Sequence, residues 1–213
     1  MSILKTLTPK QEDRRYRILS AAREMVADHG YEGMVMSQVA ERAGVSPTTL
    51  YNLFNTKDQL VMESLRELIA ENTRQVVEES GGPGWRQLYA AMKNGAARTI
   101  DSPAYADAML VALQRAKPGD ELVDVLIEHP NRGTEASLSV MAERGELRKG
   151  VNISELATAI GGVYWSSFIL WNKGVINLQQ LQRAILMNFL SMLIPSTVGK
   201  TRTELEALLA ELG

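Results

Sequence analysis

Residues 36–51 read MSQVAERAGVSPTTLY, and they carry the most specific structural pattern in the N-terminal part of the chain. It predicts two short helices joined by a tight turn, a helix-turn-helix over about residues 36–54. Gly44 can adopt the positive φ that such a turn needs, and Ala40 is small enough for two helices to touch there. The apolar residues that would pack behind the turn are Val39, Val45 and Leu50.

The ends of the two short helices are also marked in the sequence. We expect the first helix to run from about Ser37 to Ala43, where Gly44 stops it. The second helix should run from Pro47 to about Phe54, because Ser46 is a good N-cap and proline favours the first helical turn.

A longer helix precedes this motif. Thr8 and Gln11 form a capping box, Pro9 fits the first helical position, and Gly30 ends the helix. The inner apolar stripe of this helix is predicted as Ile18, Ala22, Met25 and Val26.

Helical spacing of apolar residues continues to the C-terminus, without the alternation typical of strands. Thr56 and Gln59 form a second capping box at the start of a long helix, which ends near Glu79 before a glycine-rich linker. Further helices are predicted at 85–99, 103–116, 120–145 (disturbed by Pro130), 153–172, 178–194 and 203–212. The fold class is therefore all-α, with a three-helix helix-turn-helix domain at 8–55 and a larger helical domain at 56–213.

The composition is that of an ordinary globular protein, with 213 residues, a net charge of −2 and no cysteine. The absence of cysteine excludes disulfides and thiolate zinc sites, and it fits a reducing cytosol. No secretory signal is visible near the N-terminus. The uncharged run Leu156–Asn172 is shorter than the about 20 apolar residues of a membrane span. We therefore expect a cytoplasmic protein in which this run is a buried helix.

Basic residues crowd the start of the chain. Two interpretations remain open for them: a solvated helix end, or attraction of phosphates. The cluster consists of Lys5, Lys10, Arg14, Arg15 and Arg17.

The sequence gives no support for an enzyme or a metal protein. It contains no Gly-x-Ser-x-Gly, His-Glu-x-x-His or phosphate-loop motif. His29 and His129 are far apart and lack metal-ligand spacing. We therefore expect no catalytic residues, no metal and no cofactor.

The stretch from Arg17 to about Leu65, under a quarter of the chain, resembles the TetR family of repressors. The residues that carry the resemblance are Arg17, Ala22, Gly30, Val39-Ala40, Ala43-Gly44-Val45-Ser46, Thr49-Leu50-Tyr51, Phe54, Lys57-Asp58 and Leu60. The resemblance implies an N-terminal DNA-binding domain and a C-terminal helical domain for ligand binding and dimerisation.

The resemblance also implies which residues contact DNA. The helix from Pro47 would lie in the major groove, with residues at neighbouring helix starts binding phosphates. The implied contacts are Ser37, Gln38, Thr48, Thr49, Tyr51, Asn52 and Lys57. Tyr51 could instead be a packing residue, and Lys57 a solvated charge.

Three positions depart from the family's usual pattern. Leu53 stands where Tyr or His is common, so a donor to phosphate is missing or moved. Val35 stands where a threonine would cap the next helix, and Pro47 offers no charge.

The helices at 153–172 and 178–194 are the candidates for a dimer interface. Both look apolar on more than one face, so one face can serve the core and another a second copy of the chain. In the resembled family the two helices form a four-helix dimer interface, which would match a palindromic operator in double-stranded DNA. A monomer in which both helices are plain core is the alternative.

The middle helices carry bulky apolar residues at one-face spacing, which suits a pocket for a small hydrophobic or aromatic effector. The candidate ligand-binding residues are Trp85, Tyr89, Met92, Tyr105, Met109, Trp165 and Phe168. Plain core packing is the competing interpretation for each of them.

The leading functional hypothesis is a homodimeric repressor that a small, mainly apolar ligand releases from its operator. One alternative is a helical module that binds a small molecule or protein and has weak or lost DNA binding. Leu53 and the weakly basic reading surface motivate this second hypothesis. A transcriptional activator is the other alternative.

Overall fold

The computed structural model describes residues 8–213. Its first six helices contain the predicted helix-turn-helix and the two helices after the glycine-rich linker. They are α1 (Pro9–Gly33), α2 (Met36–Arg42), α3 (Pro47–Leu53), α4 (Lys57–Ser80), α5 (Trp85–Asp101) and α6 (Pro103–Arg115).

The rest of the chain is also helical. The helices are α7 (Glu121–Val123), which continues through a π-helical turn (Asp124–Glu128) into α8 (His129–Glu143), then α9 (Ile153–Asn172), α10 (Leu178–Leu193), a 3-10 turn (Ile194–Ser196) and α11 (Gly199–Leu212). Within residues 8–213 the β pairing is limited to one isolated antiparallel bridge, between Leu147 and Thr197. The all-α fold class is confirmed.

The predicted caps of α1 and α4 are largely confirmed. At α1 the Gln11 amide donates to the Thr8 hydroxyl and the Thr8 amide donates to the Gln11 side chain, at 3.4 and 2.8 Å. At α4 the Gln59 amide donates to the Thr56 hydroxyl at 3.1 Å. The Gln59 side chain, however, accepts from the Asn55 amide at 3.0 Å. The reciprocal hydrogen bond of this capping box is therefore made by Asn55, one residue before the predicted Thr56.

The end of α1 differs from the prediction. Gly30 has φ 72° and ψ 170°, which breaks the helix there, but one more helical turn follows as far as Gly33. Glycine tolerates this left-handed backbone, whereas a residue with a Cβ would be strained. The short turn after Gly30 carries Tyr31 and Glu32, which have a role described below.

Pro130 has the predicted effect on its helix. It follows directly on the π-helical turn, in which the His129 amide donates to the carbonyl of Asp124. Proline has no amide hydrogen and its ring collides with the carbonyl four residues before it. A wider turn relieves the collision without ending the helix, so one helical rod continues to Glu143.

The chain divides into two compact units, and the division falls inside α4, between Ile69 and Ala70. The N-terminal unit contains the described residues up to Ile69 together with Ser102–Arg115, so it includes α6, which packs against α1. The predicted inner stripe of α1 lies in the core of this unit. The buried residues are Ile18, Ala22, Met25 and Val26 from α1, Val39 and Ala40 from α2, and Leu50, Phe54, Leu60 and Val61 beyond them.

The C-terminal unit consists of Ala70–Asp101 and Ala116–Gly213. Helix α10 lies at its centre and packs against α5, α9 and α11, while α8 packs against α5 and α9. The apolar residues of α10 form two stripes, and both are buried inside this single chain for most of their length. The buried residues are Leu181, Ile185, Leu186, Phe189, Leu190 and Leu193.

Candidate nucleic-acid interface

The tight turn between α2 and α3 is built as the sequence predicts. Gly44 has φ 64°, in the left-handed region that favours glycine. The Arg17 guanidinium from α1 donates to the Ala43 carbonyl at 2.6 Å, and a Cβ at Gly44 would lie 3.3 Å from the same Arg17 nitrogen. Arg17 therefore satisfies a free carbonyl at the end of α2 and ties α1 to the turn.

The two short helices begin differently. The Ser46 hydroxyl caps α3 by accepting from the Thr49 amide at 3.1 Å, and Pro47 occupies the first helical turn. Val35 stands at the N-cap of α2, where no side-chain hydrogen bond is made. The missing capping hydroxyl at Val35 is thus confirmed, and Val35 is 47% exposed.

Helix α3 presents a polar face away from the core. Leu50 and Phe54 are buried, whereas Thr48 and Asn52 are exposed on the opposite side. Tyr51 lies on one flank of this face and is 49% exposed. The arrangement leaves the side chains of Thr48, Tyr51 and Asn52 accessible to a ligand in front of the helix.

Leu53 is on the other flank of α3 and is 46% exposed. An exposed leucine cannot donate to a phosphate, so the two flanks of α3 are chemically unequal. Thr49 is half-buried, and its hydroxyl lies 2.9 Å from the Ser46 hydroxyl. Thr49 therefore has less hydrogen-bonding capacity to offer than its neighbours, although the sequence predicts it as a contact.

The first turn of α2 adds two predicted contact residues. Ser37 and Gln38 are both exposed, close after the uncapped start at Val35. The Gln38 amide already donates to the Val35 carbonyl at 3.1 Å, so the amides of Met36 and Ser37 are the ones in this first turn that can meet an acceptor.

Lys57, at the start of α4, is half-buried and already has protein partners. Its ammonium donates to the Glu32 carbonyl at 2.8 Å and lies 5.3 Å from the centre of the Tyr31 ring. The Tyr31 hydroxyl in turn donates to Asp58 at 2.6 Å. Burial, and then the hydrogen bond to Asp58, raise the pKa of Tyr31, so this hydroxyl stays protonated and remains a donor.

Part of the N-terminal basic cluster is engaged within the protein. Arg15 makes an ion pair with Glu63 of α4 at 2.5 Å and lies over the Phe54 ring, 5.4 Å from its centre. Arg17 pairs with Asp13 in addition to its bond to Ala43. These two arginines fasten α1 to its neighbours, an interpretation that the sequence did not suggest. Lys5 lies outside the described residues.

The candidate ligand residues fall into both units. Tyr105 and Met109 are buried in the N-terminal unit, where burial raises the pKa of Tyr105 against the opposing influence of Ser64 and Arg23. The other five residues belong to the C-terminal unit: Trp85, Met92 and Phe168 are buried, and Tyr89 and Trp165 are half-buried. Burial and the charge of Glu211 raise the pKa of Tyr89.

An aromatic cluster on α9 brings Trp165 and Phe168 together with Tyr164, which the sequence did not single out as a ligand residue. The ring centres of Tyr164 and Phe168 are 4.8 Å apart, and those of Trp165 and Phe168 are 5.5 Å apart. Tyr164 reaches α5 at Gly95, where a Cβ would collide with its hydroxyl. The glycine therefore makes room for this ring.

The outer surface of α9 is open. Beyond Ser154 and Glu155 in its first turn, its exposed residues begin with small side chains and end with apolar ones: Thr158, Gly162, Ser166, Ile169 and Leu170. Helix α9 is long and apolar enough to cross a membrane by length and composition. Within the single chain 28% of its apolar stretch is buried, so the prediction of a buried helix is wrong for most of this run.

The residues from 18 to 63 match the family model of bacterial regulatory proteins of the tetR family. The transcriptional repressor AcnR of Corynebacterium glutamicum is 30% identical over 155 residues, covering 70% of this chain and 77% of AcnR. The chain belongs to the TetR family. As a TetR-family protein it is a DNA-binding transcriptional regulator.

Other TetR-family comparisons are more limited in identity or length. The transcriptional regulator BetI of Rhizobium meliloti is 34% identical over 58 residues, so the chain spans 29% of that relative and the match covers 27% of this chain. The structure of FadR from Bacillus subtilis in complex with stearoyl-CoA has a TM-score of 0.67 at 18% identity, covering 82% of this chain and 97% of FadR. The SmeT–triclosan complex has a TM-score of 0.70 at 16% identity, covering 88% and 93%. Both structures share the fold.

Proposed function

We propose that this TetR-family regulator is a cytoplasmic, homodimeric repressor that leaves its operator when a small, mainly apolar ligand binds. The observation that carries the DNA-binding part is the outward face of α3. It exposes Thr48, Tyr51 and Asn52 on a helix whose other side, Leu50 and Phe54, is buried in a compact scaffold. A rigid helix with a polar outer face suits the major groove.

The contacts divide into those that read bases and those that bind phosphates. Asn52 and Thr48 lie opposite the buried side of α3, so they are the base readers in this proposal. Tyr51 on the flank and Lys57 at the start of α4 bind phosphates, as do Ser37 and Gln38 at the start of α2. Thr49 contributes least, because Ser46 already engages its hydroxyl.

A second copy of the chain covers the outer face of α9. Both stripes of α10 are used mainly within the chain, so α9 supplies most of the apolar contact in this proposal. Exposed small residues let two helices approach closely, and Ile169 and Leu170 add apolar area at one end. Two helix-turn-helix domains related by a two-fold axis would match a palindromic operator in double-stranded DNA.

The ligand site of the proposal lies in the C-terminal unit, among Met92 and Trp85 of α5 and the aromatic cluster of α9. The tyrosine hydroxyls of Tyr89 and Tyr164 would supply polar contacts to a mostly apolar ligand. Complexes of two structural neighbours with triclosan and with stearoyl-CoA support this ligand class. Release requires that the ligand bind more tightly to a conformer that does not fit the operator.

The test begins with DNA binding. The purified chain is titrated onto its own upstream DNA and onto shuffled DNA at several salt concentrations, with sedimentation velocity to measure the oligomeric state. We expect sequence-specific, salt-sensitive binding by a dimer. Tyr51→Ala combined with Lys57→Ala should weaken binding, whereas Lys149→Ala, an exposed lysine of the other unit, should leave it unchanged. Equal affinity for both DNAs would overturn the proposal.

A reporter assay decides the direction of regulation. Deleting the gene should raise transcription from the bound promoter if the protein is a repressor, and lower it if the protein is an activator. Adding triclosan or stearoyl-CoA to the DNA complex then probes the ligand class. Either probe should release DNA from the wild-type protein. Neither should release it from a variant in which the C-terminal aromatic residues Trp165 and Phe168 are replaced. This pair of results would support the proposed site.

A further inference from the structure

We propose that Tyr31 is a positioning residue for DNA binding: it holds the Lys57 ammonium in the place from which that ammonium meets a phosphate. The inference rests on the proposed function, because it assumes that Lys57 contacts DNA. It assigns a role to the single helical turn after Gly30, which the helix-turn-helix motif does not itself require.

Two consecutive residues of α1 are linked to two consecutive residues of α4. The Tyr31 hydroxyl donates to Asp58 at 2.6 Å, and the Lys57 ammonium donates to the Glu32 carbonyl at 2.8 Å. The Lys57 nitrogen also lies 5.3 Å from the centre of the Tyr31 ring, within the range of a cation–π contact. Tyr31 therefore contacts both the lysine and its neighbouring carboxylate.

This arrangement leaves Lys57 able to bind an anion. A lysine ammonium has three donors, and the Glu32 carbonyl accepts one of them. The ring attracts the charge without using a donor, so two N–H groups remain for a phosphate. A free lysine would lose much of its rotamer freedom on binding, whereas Lys57 is already ordered by its partners.

Tyr31 also acts on Asp58, whose negative charge would otherwise oppose DNA. Asp58 follows Lys57 directly, and the Tyr31 hydroxyl disperses charge on the carboxylate by donating to it. Both side chains approach Tyr31, Asp58 at the hydroxyl and Lys57 over the ring. The hydroxyl thus keeps the carboxylate engaged, while the lysine donors stay on the face of the ring.

A double-mutant cycle separates positioning from simple stabilisation. DNA affinity and its salt dependence are measured by fluorescence anisotropy for wild type, Tyr31→Leu, Tyr31→Phe, Lys57→Ala and the Tyr31→Leu/Lys57→Ala pair. We expect Tyr31→Leu to weaken binding about two- to fivefold, the size of an exposed cation–π contact. Tyr31→Phe, which keeps the ring and loses the bond to Asp58, should lose less. Lys57→Ala should reduce the salt slope by about 0.9 per protomer.

The decisive comparison is the effect of Tyr31→Leu in the Lys57→Ala background. If Tyr31 acts through Lys57, this effect disappears. An equal loss of affinity in both backgrounds, or no loss in the wild-type background, would overturn the inference. If Tyr31→Leu unfolds in thermal melts, Tyr31→Met, which also removes the ring, takes its place in the cycle. A wild type without specific DNA binding, or a Lys57→Ala variant equal to Lys149→Ala, would instead count against the proposed function.

Discussion

The Arg17 guanidinium donates a hydrogen bond to the Ala43 carbonyl at 2.6 Å, across 26 residues of sequence. Ala43 is the last residue before Gly44, so this bond joins α1 to the turn of the helix-turn-helix. It satisfies a carbonyl that the end of α2 leaves without an intrahelical partner. The position of α3 therefore depends on a residue that lies outside the motif.

Replacing Arg17 with alanine should destabilise the N-terminal unit by about 1 kcal/mol, because a charge-assisted bond to a carbonyl is lost. Its ion pair with Asp13 is exposed and should add little. Urea unfolding followed by circular dichroism measures the change. Lys10→Ala, an exposed position on the same helix, is the control. Equal effects of the two substitutions would show that the bond to Ala43 contributes nothing to stability.

Val35→Thr should stabilise the protein by about 0.5–1 kcal/mol, since a threonine hydroxyl at the N-cap can accept a hydrogen bond from an amide in the first turn of α2. The backbone at Val35, with φ −116° and ψ 125°, already has the extended conformation of an N-cap. Val77→Thr is a matched control, because Val77 is 46% exposed and Val35 47%, and Val77 lies inside α4. A gain at both positions would contradict the capping explanation.

Asn52 should read an adenine in each half of the operator, because an asparagine amide matches the N6 and N7 groups of adenine in the major groove. The operator is first defined by selection from random DNA. Replacing the recognised adenine by 7-deazaadenine should then weaken wild-type binding about tenfold, within the about 1–3 kcal/mol of a bidentate contact. Asn52→Ala should be insensitive to the same change. Equal sensitivity of both proteins would exclude this contact.

Gly162→Arg should convert the proposed dimer into monomers, because its bulky charged side chain would stand in the middle of the outer face of α9. A Cβ at Gly162 meets nothing within 4 Å in the single chain, so the fold itself should tolerate the change. Gly133→Arg is the matched control, as Gly133 is an exposed glycine of α8 with equally open surroundings. Sedimentation velocity checks both. A Gly162→Arg dimer as tight as wild type would rule out this interface.

Gly95→Ala should destabilise the C-terminal unit in the wild-type background, because the new methyl group meets the Tyr164 hydroxyl. In a Tyr164→Phe background the same change should cost less, by about 0.5 kcal/mol or more, since contacting residues couple. Gly133→Ala, with open space around its Cβ, should be neutral or stabilising by up to about 1 kcal/mol. Thermal unfolding gives all three values. Identical costs of Gly95→Ala in both backgrounds would show that Tyr164 is not the obstacle.

Features that depend on interactions over a few residues could be predicted from the sequence. Thr8, Ser46 and Gly44 could be assigned to helix starts and a turn because capping hydrogen bonds and a positive φ depend on residues within one helical turn. Pro130 could be predicted to disturb its helix for the same reason. The buried stripe of α1 followed from helical spacing, and the order of residues around Gly44 pointed to the family.

Contacts between residues that are distant in the chain could not be predicted from the sequence. No local pattern indicates that Lys57 bonds to Glu32 and lies over Tyr31, that Arg15 pairs with Glu63, or that α6 joins α1 in the N-terminal unit. The same holds for α10: the sequence predicts that one apolar face serves the core and another a second copy, but most of its apolar residues lie in the chain's own core. Hydrophobic periodicity predicts which faces of a helix are buried. Because the hydrophobic effect is non-directional, the periodicity does not predict which surface packs against those faces. That choice is made by packing complementarity across the whole chain.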